Sequence, residues 1–166
     1  MHFTVEQHLA ASPAEVVAAY TDPGLYPTLT DHSKIGTPEV LDITRTGDDV
    51  HVQLRMRFIA EVSSAVSAVI DPKKISWIQS EHYDLTRLTA TVEFKPDHYA
   101  DRFSCSGGYS FRDDPANPGG TLRVIEGDLK IRVMLVGGQA ERAMVSGLTE
   151  HFAEEQPLVN QWLATH

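Results

Sequence analysis

The sequence predicts an α+β domain in which a curved antiparallel sheet of about seven strands wraps around a long C-terminal helix. Three observations predict this class. Alternating strands separated by turns fill the chain from residue 39 onward, two short helical segments follow the first strand, and one amphipathic helix covers residues 138–164. A helix with a single apolar stripe has to bury that stripe, and the strand-rich middle of the chain offers the surface for it. All 166 residues are therefore assigned to one domain.

The C-terminal helix is predicted by apolar residues that recur at three- and four-residue steps after Gly137-Gly138. Pro157 cannot donate a backbone hydrogen bond and crowds the preceding turn, so we expect a kink or a brief break near residues 154–156. The apolar stripe consists of Ala140, Met144, Val145, Leu148, Phe152, Leu158, Val159, Trp162 and Leu163, and the opposite face carries Glu141, Arg142, Glu150, Glu154 and Asn160.

The N-terminal segment predicts one strand followed by two short helices. Apolar residues alternate with polar ones from Phe3 to Leu9, which is typical of a strand with one buried face. Ser12-Pro13-Ala14-Glu15 offers an N-cap, a proline at the first helical position and a glutamate that can reach back to the cap. Asp22-Pro23-Gly24 ends this helix before a second helical or turn-like piece over residues 25–31.

The middle of the chain predicts a series of antiparallel strands. A turn at Thr46-Gly47-Asp48-Asp49 joins two of them, and the second alternates through residues 50–58. Residues 60–70 predict a short helix because Val62, Val66 and Val69 stand at helix-like steps, with a strand as the alternative. Four further strands are predicted over residues 75–83, 85–95, 102–111 and 121–133.

The last of these strands changes its apolar phase. Leu122 and Val124 occupy even positions, whereas Leu129 and Ile131 occupy odd ones. One extra residue near Glu126-Gly127 would reconcile the two phases, so we predict a β-bulge and strong curvature there.

Composition and charge exclude several classes of protein. Hydrophobic residues make up 42% of the chain and charged residues 22%, which is typical of a globular domain and not of a disordered chain. The net charge of −9 and the scattered basic residues argue against a nucleic-acid partner. The single cysteine, Cys105, fits a reducing compartment, and the sequence contains no signal segment or bilayer-spanning apolar run. We therefore expect a cytoplasmic protein without integral membrane association; the oligomeric state stays open.

Candidate catalytic and metal-binding motifs are incomplete. His151-Phe152-Ala153-Glu154-Glu155 lacks the second histidine of a helical zinc site, so His151 and Glu155 are interpreted as a solvated pair one turn apart. Cys105 lies in an alternating strand and is expected to point inward as a small hydrophobe. Gly107-Gly108 is interpreted as a strand bend, because no helix follows it to bind an anion. The sequence thus predicts no metal site and no cofactor.

The order of elements resembles the helix-grip architecture of the START/Bet v 1-like (SRPBCC) superfamily over the whole chain. Three segments resemble the DUF2505 family more narrowly: Trp77-Ile78-Gln79-Ser80-Glu81, the strand Glu126-Gly127-Asp128-Leu129-Lys130-Ile131-Arg132-Val133, and Gly137-Gly138-Gln139-Ala140-Glu141. The resemblance implies a hydrophobic cavity between the long helix and the concave sheet. It implies no single reaction, because the superfamily includes lipid carriers, hormone receptors, cyclases and chaperone activators.

Such a cavity would be lined by the strand residues that face the concave side of the sheet and by the apolar stripe of the helix. Its apolar candidates also fit a closed core. Inward polar side chains would be more informative, and the register of their strands decides which of them point inward. The candidates for inward polar side chains are Arg123, Glu126, Gln79, Tyr83 and Tyr109. The complete set of ligand-binding candidates is Met56, Phe58, Trp77, Gln79, Phe94, Phe103, Tyr109, Glu126, Met144, Leu148 and Phe152.

The sequence favours a protein that binds or carries a small hydrophobic or amphipathic molecule, such as a lipid, polyketide or isoprenoid. An enzyme of the cyclase or hydrolase type is the alternative, and it requires two titratable side chains that converge in the cavity, such as Glu126 with His51 or Tyr109. His51 lies on the polar phase of its strand and is expected to face water. A partner-binding module of the chaperone-cofactor kind would instead require an exposed apolar patch outside the cavity.

Overall fold

The computed structural model describes residues 1–68 and 70–166, and these form one sheet, three α-helices and two 3₁₀ turns. The strands are β1 (His2–Leu9), β2 (Glu39–Thr46), β3 (Asp49–Arg57), β4 (Ser76–Asp84), β5 (Thr89–Pro96), β6 (Phe103–Asp113) and β7 (Thr121–Ile131). The helices are α1 (Pro13–Tyr20), α2 (Ser64–Ser67) and α3 (Gly137–Leu163), and the 3₁₀ turns are Tyr26–Thr28 and Pro72–Lys74.

The seven strands form a single antiparallel sheet in the order β1-β7-β6-β5-β4-β3-β2. Every sheet neighbour from β2 to β7 is also a neighbour in sequence, and only β1 joins from a distance by pairing with β7. Gly47 takes a left-handed φ of 63° in the turn between β2 and β3. The predicted sheet of about seven strands and its hairpin are therefore confirmed.

One face of the sheet packs on α3, which contacts β1, β7 and α1. Gly147 of α3 allows close approach to Phe58, whose ring would stand 3.0 Å from a Cβ at that position. The inward residues of β3 to β7 alternate along each strand and include Val50, Val52, Leu54, Met56, Trp77, Gln79, Glu81, Tyr83, Ala90, Val92, Phe94, Cys105, Tyr109, Phe111, Arg123, Ile125, Leu129 and Ile131; Thr121 and Leu122 at the start of β7 are buried as well.

β7 contains no bulge, so the bulge predicted at Glu126-Gly127 is wrong. The strand pairs residue for residue with β6 along its whole length. The odd-numbered residues of β7 point inward along the whole strand. The apolar residues alone indicate a change of phase because the inward position 123 holds an arginine instead of a hydrophobic residue. The register shift in the sheet lies instead in β2, between Val40 and Asp42.

The close approach of β6 and β7 requires glycine. Gly107 lies opposite Gly127, and a Cβ on Gly107 would stand 2.0 Å from the Glu126 carbonyl oxygen. The ring of Phe3, from β1, covers Gly127, because its nearest atom would stand 2.6 Å from a Cβ there. A large side chain on the neighbouring strand thus covers the surface left open by the glycine.

The predicted helix start at Ser12 is confirmed. The Ser12 backbone N–H donates to the Glu15 carboxylate at 2.9 Å, and its hydroxyl donates to the same oxygen. The short helix expected within residues 60–70 is found as α2, whose N-cap Ser63 accepts from the Val66 N–H. Val69 lies outside the described residues.

α3 continues through Pro157 without the predicted break. Polar side chains on both sides of the proline bind the end of β1: Gln156 accepts from the His8 N–H at 2.9 Å, and Asn160 accepts from the Ala10 N–H at 2.8 Å. These contacts hold both halves of the helix in register against the sheet, although Pro157 removes one backbone donor.

Candidate functional site

Within the described residues, three small cavities lie between α3 and the sheet. Their volumes are about 20, 40 and 20 Å³. The first lies at Tyr109, Arg123 and His151, the second between Trp77 and Met144, and the third beside the glycines of β6 and β7. Leu148 and Phe152 of α3 border both the first and the third.

Ten of the eleven predicted ligand-binding residues lie on the inner face or on the helix surface that covers it. They are Met56, Phe58, Trp77, Gln79, Phe94, Phe103, Tyr109, Met144, Leu148 and Phe152. All of these except Phe58 border one of the three cavities. Glu126 touches only the edge of the third cavity, and it is exposed on the outer phase between buried Ile125 and Gly127.

Trp77 has the predicted orientation. The side chain is buried and its ring stacks on that of Phe94, with 5.1 Å between centroids. Its indole N–H donates to the Gln79 side-chain oxygen at 3.4 Å, which provides the partner that a buried tryptophan needs. Trp77 also borders the second cavity.

Glu81 of β4 is a fully enclosed carboxylate with three hydrogen-bond donors. Gln79 donates through Nε2 at 2.6 Å, Tyr83 through its hydroxyl at 2.7 Å, and Tyr109 through its hydroxyl at 3.0 Å. Burial raises the pKa of Glu81, and the hydrogen bonds from Tyr83 and Gln79 oppose that rise. Burial likewise raises the pKa of both tyrosines well above 10, which keeps them neutral donors.

Arg123 of β7 forms a second buried polar group on the same face. Its Nη1 donates to Glu155 Oε1 at 2.8 Å and to Gln7 Oε1 at 2.9 Å. The guanidinium carbon lies 4.0 Å from the Tyr20 ring centroid and 4.2 Å from the Tyr109 centroid, so two aromatic faces enclose the cation. Burial acts to lower the pKa of Arg123, but Tyr20 and Glu155 outweigh it and raise the pKa.

His151 and Glu155 are buried, so the prediction of a solvated pair is wrong. The His151 Nε2 lies 3.5 Å from Glu155 Oε2, and the His151 ring packs on that of His32 with 4.5 Å between centroids. Burial lowers the pKa of His151 to about 4. The end of α1 and the segment after it cover this flank of α3: the Tyr20 hydroxyl donates to Glu155, and His32 packs on His151.

Four buried nitrogen atoms of this region lack a hydrogen-bond partner among the described residues. They are Arg123 Nε, His151 Nδ1 and both ring nitrogens of His32. Arg123 and His151 both border the first cavity, together with Glu81, Gln79 and Glu155. The first cavity therefore combines apolar walls with two polar atoms whose bonding capacity is unused. Arg123 Nε–H is a donor, and His151 Nδ1 is an acceptor because the neutral ring directs its Nε2–H at Glu155.

The comparison with protein families decides the classification of the chain. The model of the family described as protein of unknown function DUF2505 matches residues 4–163. The chain belongs to the DUF2505 family. Comparison with curated proteins finds no match.

Solved structures similar to this DUF2505 protein share its helix-grip fold. The Zhui aromatase/cyclase from Streptomyces sp. R1128 has a TM-score of 0.66 at 14% identity, over 99% of this chain and 93% of that one. Norcoclaurine synthase from Thalictrum flavum has a TM-score of 0.64 at 14% identity, over 100% and 87%. A START superfamily protein from Mycobacterium smegmatis has a TM-score of 0.58 at 17% identity, over 97% and 98%.

Some polar residues of the DUF2505 site were missed in the sequence, although one signal was present. Glu81 follows Trp77 and Gln79 at steps of two, and such steps place side chains on one face of a strand. Gln7 shares the phase of Phe3 and Val5 in the same way. A search for apolar alternation does not find either residue, because both are hydrophilic and lie on faces expected to be apolar.

The outer face of the DUF2505 sheet is polar. His51 stacks on His82 there, with 4.2 Å between centroids, so it does not join Glu126 or Tyr109 in an internal pair. Two open grooves of about 410 and 390 Å³ also lie on this face and share Ser80 and Glu93.

Cys105 points inward as predicted, and burial raises the pKa of its thiol to about 12, which disfavours the reactive thiolate.

The buried imidazole of His151 predicts an acid-sensitive fold. The folded DUF2505 protein keeps His151 neutral down to about pH 4, whereas an unfolded histidine binds a proton near pH 6.5. The unfolded state therefore binds more protons between these values, and stability falls as pH is lowered through this window, by at most about 3 kcal/mol. Glu155 and Glu154 oppose the shift, whereas His32 and Arg123 reinforce it.

Urea unfolding at pH 5 and pH 7.5 measures this contribution. We expect His151→Phe to lose much of the difference in stability between the two pH values and His51→Phe, on the outer face, to retain it. Equal pH dependence in the wild type and His151→Phe would contradict the assignment.

Proposed function

We propose that this DUF2505 protein binds a small amphipathic molecule between α3 and the inner face of the sheet. The apolar part of the molecule would lie against Leu148 and Phe152. Its hydroxyl group would accept a hydrogen bond from Arg123 Nε–H and donate one to His151 Nδ1, because the neutral His151 directs its Nε2–H at Glu155. Two buried nitrogen atoms support this proposal, Arg123 Nε and His151 Nδ1. Both belong to residues that border the first cavity, and neither has a hydrogen-bond partner among the described residues.

The energetic argument concerns the cost of unpaired polar groups. A buried donor without a partner costs about 1–3 kcal/mol, and an acceptor on a bound molecule would recover that cost. The Arg123 guanidinium is enclosed by the Tyr20 and Tyr109 rings and tied to Glu155, so little side-chain entropy remains to be lost on binding.

The charges around the first cavity favour a neutral polar group on the ligand. Arg123 is already neutralised by Glu155 at 2.8 Å, and Glu81 borders the same cavity. An anionic group on the ligand would lie near two carboxylates, Glu81 and Glu155, and one guanidinium, that of Arg123. His151 adds no positive charge, because its imidazole is neutral above about pH 4. A phenolic or alcoholic hydroxyl can accept from Arg123 Nε–H and donate to His151 Nδ1 without that repulsion.

The size of the cavities requires the interior to open when the ligand enters. About 20 Å³ accommodates roughly one water molecule, whereas small-molecule sites typically measure about 300–1,000 Å³. Met56 and Leu148 border the first cavity, and the flexible Met56 side chain can adopt other rotamers at low cost. Binding should therefore be accompanied by movement of side chains on α3 or β3.

A thermal-shift screen with neutral amphipathic molecules tests the proposal. We expect at least one aromatic or isoprenoid compound with a phenol or alcohol group to raise the Tm, and we expect His151→Phe to weaken its binding about tenfold through loss of one hydrogen bond. His51→Phe is the matched control and should bind as the wild type does. A screen without any shift, or unchanged affinity in His151→Phe, would contradict the proposal.

An enzyme is the second candidate, and the buried titratable cluster favours it. Glu81, Tyr83 and Tyr109 are joined by hydrogen bonds inside the fold, which is the convergence that proton-transfer chemistry requires. Mass spectrometry of a bound compound after incubation distinguishes the two functions. Chemical conversion by the wild type and by the outer-face control Glu93→Gln, but not by Glu81→Gln, would establish the enzyme; recovery of unchanged compound favours binding.

We also propose a cytoplasmic location, supported by Cys105, which is buried and carries no disulfide. Within the described residues, no helix combines the length and the apolar character needed to cross a membrane.

A further inference from the structure

A small apolar tip projects from the segment between β7 and α3. Met134 is 87% exposed and Leu135 is fully exposed, which makes them the most exposed large hydrophobic side chains among the described residues. Leu135 has a left-handed φ of 68°, a conformation that is unfavourable for a leucine. We call Met134 and Leu135 the apolar tip.

The chain segments at this end of the sheet carry most of the positive charge of the protein. Residues 55–75, 95–102 and 130–142 contain nine Lys and Arg against five Asp and Glu, whereas the rest of the chain contains five against eighteen. These segments meet because β3, β5 and β7 end where β4, β6 and α3 begin. The Arg132 N–H donates to the Arg102 carbonyl at 2.7 Å, and Gln139 donates to Ser63 at 3.2 Å.

Several basic side chains at this end are available to a partner. Lys73, Lys74, Arg132 and Arg142 are exposed, and none of them forms an ion pair within residues 1–68 and 70–166. The N-terminus of α3 adds partial positive charge close to the apolar tip, since its N-cap Val136 provides no capping side chain.

We propose that this end of the molecule docks on an anionic lipid surface, with the apolar tip inserted among the headgroups and Arg132 and Arg142 beside the phosphates. Two apolar residues are too few for a protein interface of about 800 Å² per partner. They are sufficient as an anchor when several basic residues supply the electrostatic attraction. Docking does not depend on the ligand or on the reaction proposed above.

The second cavity lies close to the proposed docking surface. The cavity is bordered by Tyr99, Arg102, Phe103, Ile131 and Met144, so it lies at the basic end of the sheet beside β7's last residue. An amphipathic molecule that leaves a bilayer at this end would meet an apolar space before any polar interior group. This consequence, unlike docking itself, rests on the proposed function.

Vesicle sedimentation of the full chain tests the docking. We expect binding to phosphatidylcholine vesicles that contain phosphatidylglycerol, weak binding to phosphatidylcholine alone, and release at high salt. Arg132→Gln with Arg142→Gln should reduce partitioning about 25-fold, because each basic residue near an anionic surface is worth a factor of about five. Arg45→Gln with Arg87→Gln, at the opposite end of the sheet, is the matched control and should retain binding.

A second pair of variants tests the apolar tip. Met134→Ser with Leu135→Asn should reduce partitioning at least tenfold, whereas Leu41→Ser, which removes another exposed hydrophobe, should leave it unchanged; asparagine tolerates the left-handed φ at 135. Absence of binding to anionic vesicles at low salt would overturn the proposal. Equal losses in test and control variants, or self-association through the tip without vesicle binding, would also overturn it.

Discussion

Replacing Arg123 with methionine is expected to lower the free energy of unfolding by about 3–5 kcal/mol, because the change leaves a buried charge without its partner. Glu155 accepts from Arg123 at 2.8 Å, and both side chains are almost fully excluded from solvent. The Tyr20 hydroxyl and His151 remain near Glu155 in the variant, but neither supplies a positive charge at neutral pH. Urea unfolding at pH 7 measures the loss.

Two further variants decide whether that loss comes from the ion pair. Arg112→Met removes an exposed arginine from β6 and should change stability by less than about 0.5 kcal/mol. Arg123→Met combined with Glu155→Gln should recover part of the loss, because the unpaired carboxylate is gone. A loss below about 1 kcal/mol in Arg123→Met alone would show that Glu155 does not depend on its partner.

Replacing Trp77 with alanine is expected to cost about 3–5 kcal/mol, because a large buried ring leaves a cavity that the fold fills only in part. Trp77 is 1% exposed and stacks on Phe94, and its loss would enlarge the second cavity. Ile78→Ala, one residue along the strand on the other face, should cost clearly less. Thermal and urea unfolding of the two variants measures the difference.

Fluorescence checks the same placement without destabilising the fold. In Trp162→Phe, Trp77 is the remaining tryptophan of the chain and its emission should be blue-shifted, since the ring is shielded from water. An emission maximum typical of a solvent-exposed indole would contradict the inner-face position of Trp77.

The arrangement of elements could be predicted because each one carries a clear periodic signal. Alternation fixed the inward phase of β3 and β4, and the register of the sheet places Met56 opposite Trp77 as that phase requires. The turn at Gly47 and the capping box at Ser12 were equally local signals. Such signals involve a few neighbouring residues, so tertiary contacts did not alter them.

The polar interior could be predicted only in part, because it violates the pattern used to find a core. Strand phase makes Gln79, Tyr83, Tyr109 and Arg123 inward candidates, and all four are buried. Glu81, His151 and Glu155 are buried as well and are not among those candidates. A count of apolar residues treats Arg123 as an outward position, which led to the incorrect bulge in β7. His151 and Glu155 were assigned to a solvated face because the segment after α1, which covers them, gives no sign in the sequence of packing on α3. Both errors concern contacts between distant parts of the chain.

Nitrogen-15 NMR of the Arg123 Nε–H and the His151 ring nitrogens tests the central claim most directly, namely that the unpaired Arg123 donor and the unpaired His151 acceptor beside the first cavity bind the polar group of a ligand. Saturation with a compound that raises the Tm should move both resonances, and those of Arg112 and His51 on the outer face should stay in place. Unchanged Arg123 and His151 resonances in the saturated protein would contradict the account.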